Sequence, residues 1–60
     1  MLNPGDVVRM KEGGCPMTVC EIQDGEAACV WFERCERGWH GPFRASIAIG
    51  LLEKVTESNG

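Results

Sequence analysis

The chain has 60 residues, nine acidic and six basic, a net charge of −3 at pH 7, and 43% hydrophobic against 25% charged side chains. That length allows a single domain, in which folding hides only about 60% of the surface that the unfolded chain exposes, and it leaves little room for an enclosed pocket. The composition is that of a globular domain rather than a disordered tail, and basic residues scattered among more numerous acids argue against a binder of phosphate backbones.

The opening stretch, Met1-Leu2-Asn3-Pro4-Gly5-Asp6, lacks the basic start and apolar core of a secretory signal. The longest apolar run falls far short of the ~20 residues of a membrane span. A cytoplasmic location is expected, with no membrane partner. Structural disulfides are uncommon in that compartment, so the four cysteines are expected to be free thiols.

In chain order, Asn3-Pro4-Gly5-Asp6 reads as a turn that launches a first strand over Asp6 to Lys11, with its apolar stripe at Val8 and Met10. Glu12-Gly13-Gly14-Cys15-Pro16 reads as a loop, because paired glycines and a proline interrupt both regular structures. Met17 to Ile22 is β-branched enough to be a second strand. Asp24-Gly25 is a strong hairpin signal. It leads into the uncharged run Ala27-Ala28-Cys29-Val30-Trp31-Phe32, expected as a central third strand.

Strand parity sends Trp31 and Phe32 to opposite faces, without saying which is inside. Glu33 to Gly38 reads as a polar connection. A weaker fourth strand over Trp39 to Arg44 is interrupted at Gly41-Pro42. Ala45 to Gly50 suits a single helical or 3-10 turn, Leu51 to Val55 a last short strand, and residues 56–60 a flexible tail. The expected architecture is therefore all-β: one domain over residues 1–55, a small five-stranded SH3-like barrel with one helical or 3-10 turn before the last strand.

Gly5-Asp6-Val7-Val8-Arg9-Met10-Lys11, Gly13-Gly14, Met17-Thr18-Val19 and Cys29-Val30-Trp31-Phe32, with Phe43 and the closing Leu52-Glu53-Lys54-Val55, together resemble the YodC-like family of small bacterial proteins. The likeness runs from about residue 5 to residue 55. The segment from Glu33 to Gly41 departs from the family pattern, as do Cys15 and Cys35. The resemblance implies a compact SH3-like β-barrel and carries no activity with it.

Cys15-x4-Cys20 and Cys35-x4-His40 invite a zinc site of three thiolates and one imidazole. Up-down-up strands would bring Cys15, Cys35 and His40 to one end, but Cys20 would lie roughly 13 Å down its strand. Free thiols are the simpler expectation, with Cys29 a small buried apolar residue and no cofactor. Nucleophilic catalysis would have to use His40, the single histidine, beside Cys35, with no third group to orient it. An enzyme is not expected. Gly13-Gly14 lacks the spacing of a phosphate loop.

The aromatics remain. Trp31, Phe32 and Trp39, with Arg37, His40 and Arg44 nearby, form the candidate binding set, since an exposed tryptophan ringed by basic groups suits a peptide or single-stranded nucleic acid. The expected function is a small binding module that engages a protein partner, a second copy of itself included. The rivals are a nucleic-acid- or ribosome-associated module, and a small acidic inhibitor or regulator that presents Glu21, Asp24, Glu26 and Glu33 to a larger machine.

Overall fold

The computed structural model of the chain describes residues 2–55. The tail expected over residues 56–60 lies outside them. The elements are β1 (Val7–Met10), β2 (Met17–Gln23), β3 (Glu26–Cys35), β4 (Gly38–Ala48), a 3-10 turn (Ile49–Leu51) and β5 (Leu52–Lys54). All five strands belong to one antiparallel sheet in the order β4-β3-β2-β1-β5. The edge strands β4 and β5 are joined through the 3-10 turn but do not pair with each other, so the ladder is open. No helix among the described residues is long and apolar enough to cross a membrane.

The local causes are visible in the backbone. Asn3 and Asp6 close the entry turn on each other: the Asn3 amide donates to Asp6 Oδ2 at 2.8 Å, and the Asp6 amide donates to the Asn3 carbonyl at 3.0 Å. Short polar side chains of this kind make a turn by bonding nearby backbone. The β2–β3 hairpin turns at Asp24 (φ 53°) and Gly25 (φ 79°), and two successive positive φ values are what an Asp-Gly pair supplies most cheaply.

Both long strands run further than their apolar content suggested. β3 continues through Glu33-Arg34-Cys35, and β4 begins at Gly38, so Glu36-Arg37 is a two-residue turn within one long ribbon. The connection expected over Glu33 to Gly38 is thus largely strand. Nor do Gly41 and Pro42 end β4; the ladder absorbs them as a bulge between the Trp31–Phe43 and Glu33–His40 pairs. The helical turn is confined to Ile49–Leu51, because β4 stays extended through Ala48.

Alternation along the strands selects one face. Val8, Met17, Val19, Ala27, Cys29 and Leu52 are buried together, with Leu2, Met10, Ile22, Trp31, Ile47 and Ile49 packed around them. The apolar run on β3 therefore points Ala27, Cys29 and Trp31 inward. Ala28, Val30 and Phe32 occupy the other face, where no further element lies among the described residues. Buried area is the dominant stabilising term, and the fully buried residues lie on β1, β2, β3 and β5 alone, with Ile47 of β4 half-buried against them. β4 contributes no buried residue.

Candidate functional site

The outer face of the β3–β4 ribbon holds the exposed aromatics. Phe32 is 52% and Trp39 68% exposed. Arg34 lies on β3 between them: it follows Phe32 by two positions, hence on the same face, and it pairs across the ladder with Trp39. Its guanidinium carbon stands 5.9 Å from the Trp39 ring centroid, at the outer limit of a cation–π contact. Arg44 pairs with Val30 on this same face, and Arg37 occupies the turn beyond.

Two bulges shape that face. On β4, Gly41 and Pro42 together oppose Phe32. A bulge of this kind bends its strand and re-aims side chains. The Phe32 ring lies over Gly41: a Cβ added there would stand 3.0 Å from Phe32 Cδ2 and 3.0 Å from the Trp31 carbonyl oxygen. Phe32 thus covers a bare glycine as well as presenting an aromatic edge to solvent. On β2, the register shifts between Val19 and Glu21 and leaves Cys20 as the extra residue. Beside it an open depression of about 290 Å³ runs past Cys20, Glu21, Ala28, Val30, Arg44 and Ser46.

Charge is distributed unevenly over the outer face. At the β1–β5 side Arg9 is held by Glu53 at 2.8 Å on this face, and Lys54, which pairs with inward-facing Val8, lies 3.7 Å from Asp6 on the other. Arg34, Arg37 and Arg44 enter no ion pair among the described residues. At the opposite end of the ribbon a second depression is lined by Glu21, Gln23, Asp24, Glu26, Ala28 and Ser46. The face is aromatic and cationic at the Glu36-Arg37 turn, and anionic at the Asp24-Gly25 turn.

The candidate residues divide between the two faces. Phe32, Trp39 and Arg44 share the outer one. Trp31 faces the core side, half-buried, where its indole Nε1 donates to Glu33 Oε2 at 3.2 Å and its ring lies 5.9 Å from Phe43. His40 pairs with Glu33 and so joins this inner side. Arg34 was not singled out from the sequence because it sits in the stretch read as a connection; the charge alternation Glu33-Arg34-Cys35-Glu36 was its only signal.

Cys15, Cys20 and Cys35 are exposed free thiols, and Cys29 is a buried one. No group of three or more metal-ligating side chains comes together among the described residues, so Cys15, Cys20, Cys35 and His40 are not assembled into one site. Burial pushes the Cys29 thiol above its ordinary pKa, with nearby Cys20 adding to the effect; Cys29 Sγ donates weakly to the Ala27 carbonyl at 3.5 Å. Cys35 and His40 are diagonal neighbours on the ribbon, with no hydrogen bond between them. Comparison with models of known protein families, with curated proteins and with solved structures finds no match.

Proposed function

We propose that this chain is a small non-enzymatic binding module that engages a protein partner through the outer face of the β3–β4 ribbon, with Phe32, Arg34 and Trp39 at the centre of contact and Arg37 and Arg44 at its rim. The observation that carries this reading is the exposure of Trp39 beside Arg34, which has no carboxylate partner among the described residues. An apolar ring of that size left in water has large area to lose on docking, and Trp and Arg dominate the energetics of protein interfaces. The strand order with a 3-10 turn before the last strand supports an SH3-like barrel, and with it the YodC-like resemblance. A cytoplasmic location suits the free thiols at Cys15, Cys20 and Cys35.

The test is Trp39→Ala. Folding stability should change by less than about 0.5 kcal/mol, as for an exposed position. In parallel, immobilised wild-type and variant chains are compared as baits, with retained proteins quantified by mass spectrometry. A protein held by the wild type and lost from the variant supports the reading; a set retained equally by both refutes it.

A second reading is favoured by Arg34, Arg37 and Arg44, unpaired among the described residues, since cations interleaved with aromatics also suit single-stranded nucleic acid. Titration with oligo-dT and oligo-U at low and moderate salt separates the two. Affinity that falls steeply with salt would point to phosphate contacts. The net charge of −3 and the acidic end of the same face favour a protein.

A further inference from the structure

β4 is the longest strand of the sheet and the least covered. Eight of its 11 residues are exposed and none is buried, and among the described residues it pairs with β3 along one side only. Its other side, unpaired among the described residues, offers backbone amides and carbonyls to a second strand. Edge strands are usually blunted by lysines, prolines or bulges. Here the bulge and Pro42 lie toward one end, and the regular stretch that follows, Phe43-Arg44-Ala45-Ser46-Ile47-Ala48, carries one charged residue and no lysine.

We propose that two copies of the chain pair antiparallel along β4, with a two-fold axis at Ala45. This goes beyond the reading of the ribbon's outer face as a protein-binding surface: it concerns the free backbone edge of the same ribbon and commits to a second copy as its occupant. A two-fold interface brings the same patch of each subunit together, so every favourable contact occurs twice. Centred on Ala45, the register sets Arg44 opposite Ser46 of the other copy and Phe43 opposite its Ile47. Faces are preserved, because Arg44 and Ser46 both pair outward, with Val30 and Ala28, whereas Phe43 and Ile47 both pair inward, with Trp31 and Ala27.

The apolar consequence is a continued inner ladder: Phe43, 39% exposed in the single chain, gains an aliphatic neighbour. The electrostatic consequence follows from antiparallel pairing. The arginine-rich end of one ribbon then adjoins the acidic end of the other, and Arg44 turns toward the partner's Glu21 and Glu26 side. The small side chains of Ala45, Ser46 and Ala48 leave the two backbones free to approach to the ~4.8 Å strand spacing.

The experiment is sedimentation equilibrium on the wild type, Ser46→Lys, and the double variant Ser46→Lys/Arg44→Glu. Ser46 is exposed and a lysine there is tolerated by the single chain, but in the dimer it stands directly against Arg44 at two symmetric positions. The wild type is expected at twice the 6.6 kDa chain mass. Ser46→Lys should raise the dissociation constant on the order of tenfold, the size expected for two directly opposed like-charge pairs. The double variant, which turns each clash into an attraction, should recover dimerisation.

A wild type that stays monomeric at high micromolar concentration overturns this inference. So does a dimer indifferent to Ser46→Lys, or a double variant as dissociated as the single one. None of these outcomes touches the Trp39-dependent capture, which reports on the other end of the ribbon and can fail separately.

Discussion

Gly41→Ala should be the most damaging glycine-to-alanine change among the described residues. Two costs combine there. Gly41 has φ 135°, a backbone region that only glycine enters freely, and holding another residue there costs of order 1–3 kcal/mol. The added Cβ would also stand 3.0 Å from Phe32 Cδ2, 3.0 Å from the Trp31 carbonyl oxygen and 3.2 Å from the Phe43 amide nitrogen. The Phe32 ring can swing aside, but the two backbone atoms belong to the ladder that flanks the bulge and cannot. Together these terms suggest a loss of about 2–4 kcal/mol. A chain of this length holds in total only about 3–9 kcal/mol, at the usual stability per residue. The melting temperature should fall by roughly 10–20 °C, at the several degrees per kcal/mol typical of small domains. Gly25→Ala is the control. Its φ is also positive, at 79°, but nothing lies within 4 Å of the new methyl, so it isolates the backbone cost, about 1 kcal/mol. Thermal and urea unfolding followed by circular dichroism measure both variants. If Gly41→Ala is no worse than Gly25→Ala, the crowding at the bulge is not a constraint and this account of it is wrong.

Two further perturbations test the core and its thiol. Val8 is fully buried on a strand that pairs with both β2 and β5, so Val8→Ala should cost about 1.5–3 kcal/mol in transfer and cavity terms, measured by urea unfolding; a loss below 0.5 kcal/mol would mean that the open sheet repacks freely around it. For the cysteines, the native protein should react rapidly with a thiol reagent at Cys15, Cys20 and Cys35 and slowly at Cys29. Because burial raises the Cys29 pKa, the folded state holds that proton more tightly than the unfolded one. This contribution is complete below the unfolded thiol value of about 8.5 and is lost as pH rises through the higher folded value. Wild-type stability should therefore decline more steeply over that alkaline range than that of Cys29→Ala, and parallel pH profiles would contradict the assignment.

Much of the strand order was legible because alternation and turn chemistry agree locally. Val8 and Met10, Met17 and Val19, and Asp24-Gly25 each mark an element by its own residues, and Leu52 closes the same face. The length of the β3–β4 ribbon was not legible. Glu33-Arg34-Cys35 has no β-branched or aromatic residue, and its extended state comes from pairing with Gly38-Trp39-His40 rather than from propensity, as is common in sheets. The mate of Trp39 was hidden for the same reason: which residue faces it depends on a register shift, and register is a property of two strands together. Chain order placed aromatics and arginines near one another and parity separated Trp31 from Phe32, but only the pairing shows that Trp39 and Arg44 share the face of Phe32 and Arg34 while His40 joins Trp31 on the other.

The bulge at Gly41-Pro42 is the step by which a packing detail becomes a binding surface. Had the ladder run on from the Trp31–Phe43 pair without an extra residue, Trp39 would have met Cys35, on the same side as Trp31 and Glu33. The added residue on β4 sets Trp39 opposite Arg34 instead, and so sends the indole to the outer face. It also allows the ribbon to close with Glu36-Arg37 alone rather than a longer loop. Gly41 is what lets two residues fit opposite one, and the Phe32 ring covers the backbone that Gly41 leaves bare. Phe32 therefore acts on the geometry of the site as well as on its contacts, and Trp39 on its contacts alone. Phe32→Ala should accordingly lower stability as well as partner capture, whereas Trp39→Ala should lower capture alone. If both variants keep wild-type stability, Phe32 acts through its contacts alone, as Trp39 does, and the bulge holds its shape without it.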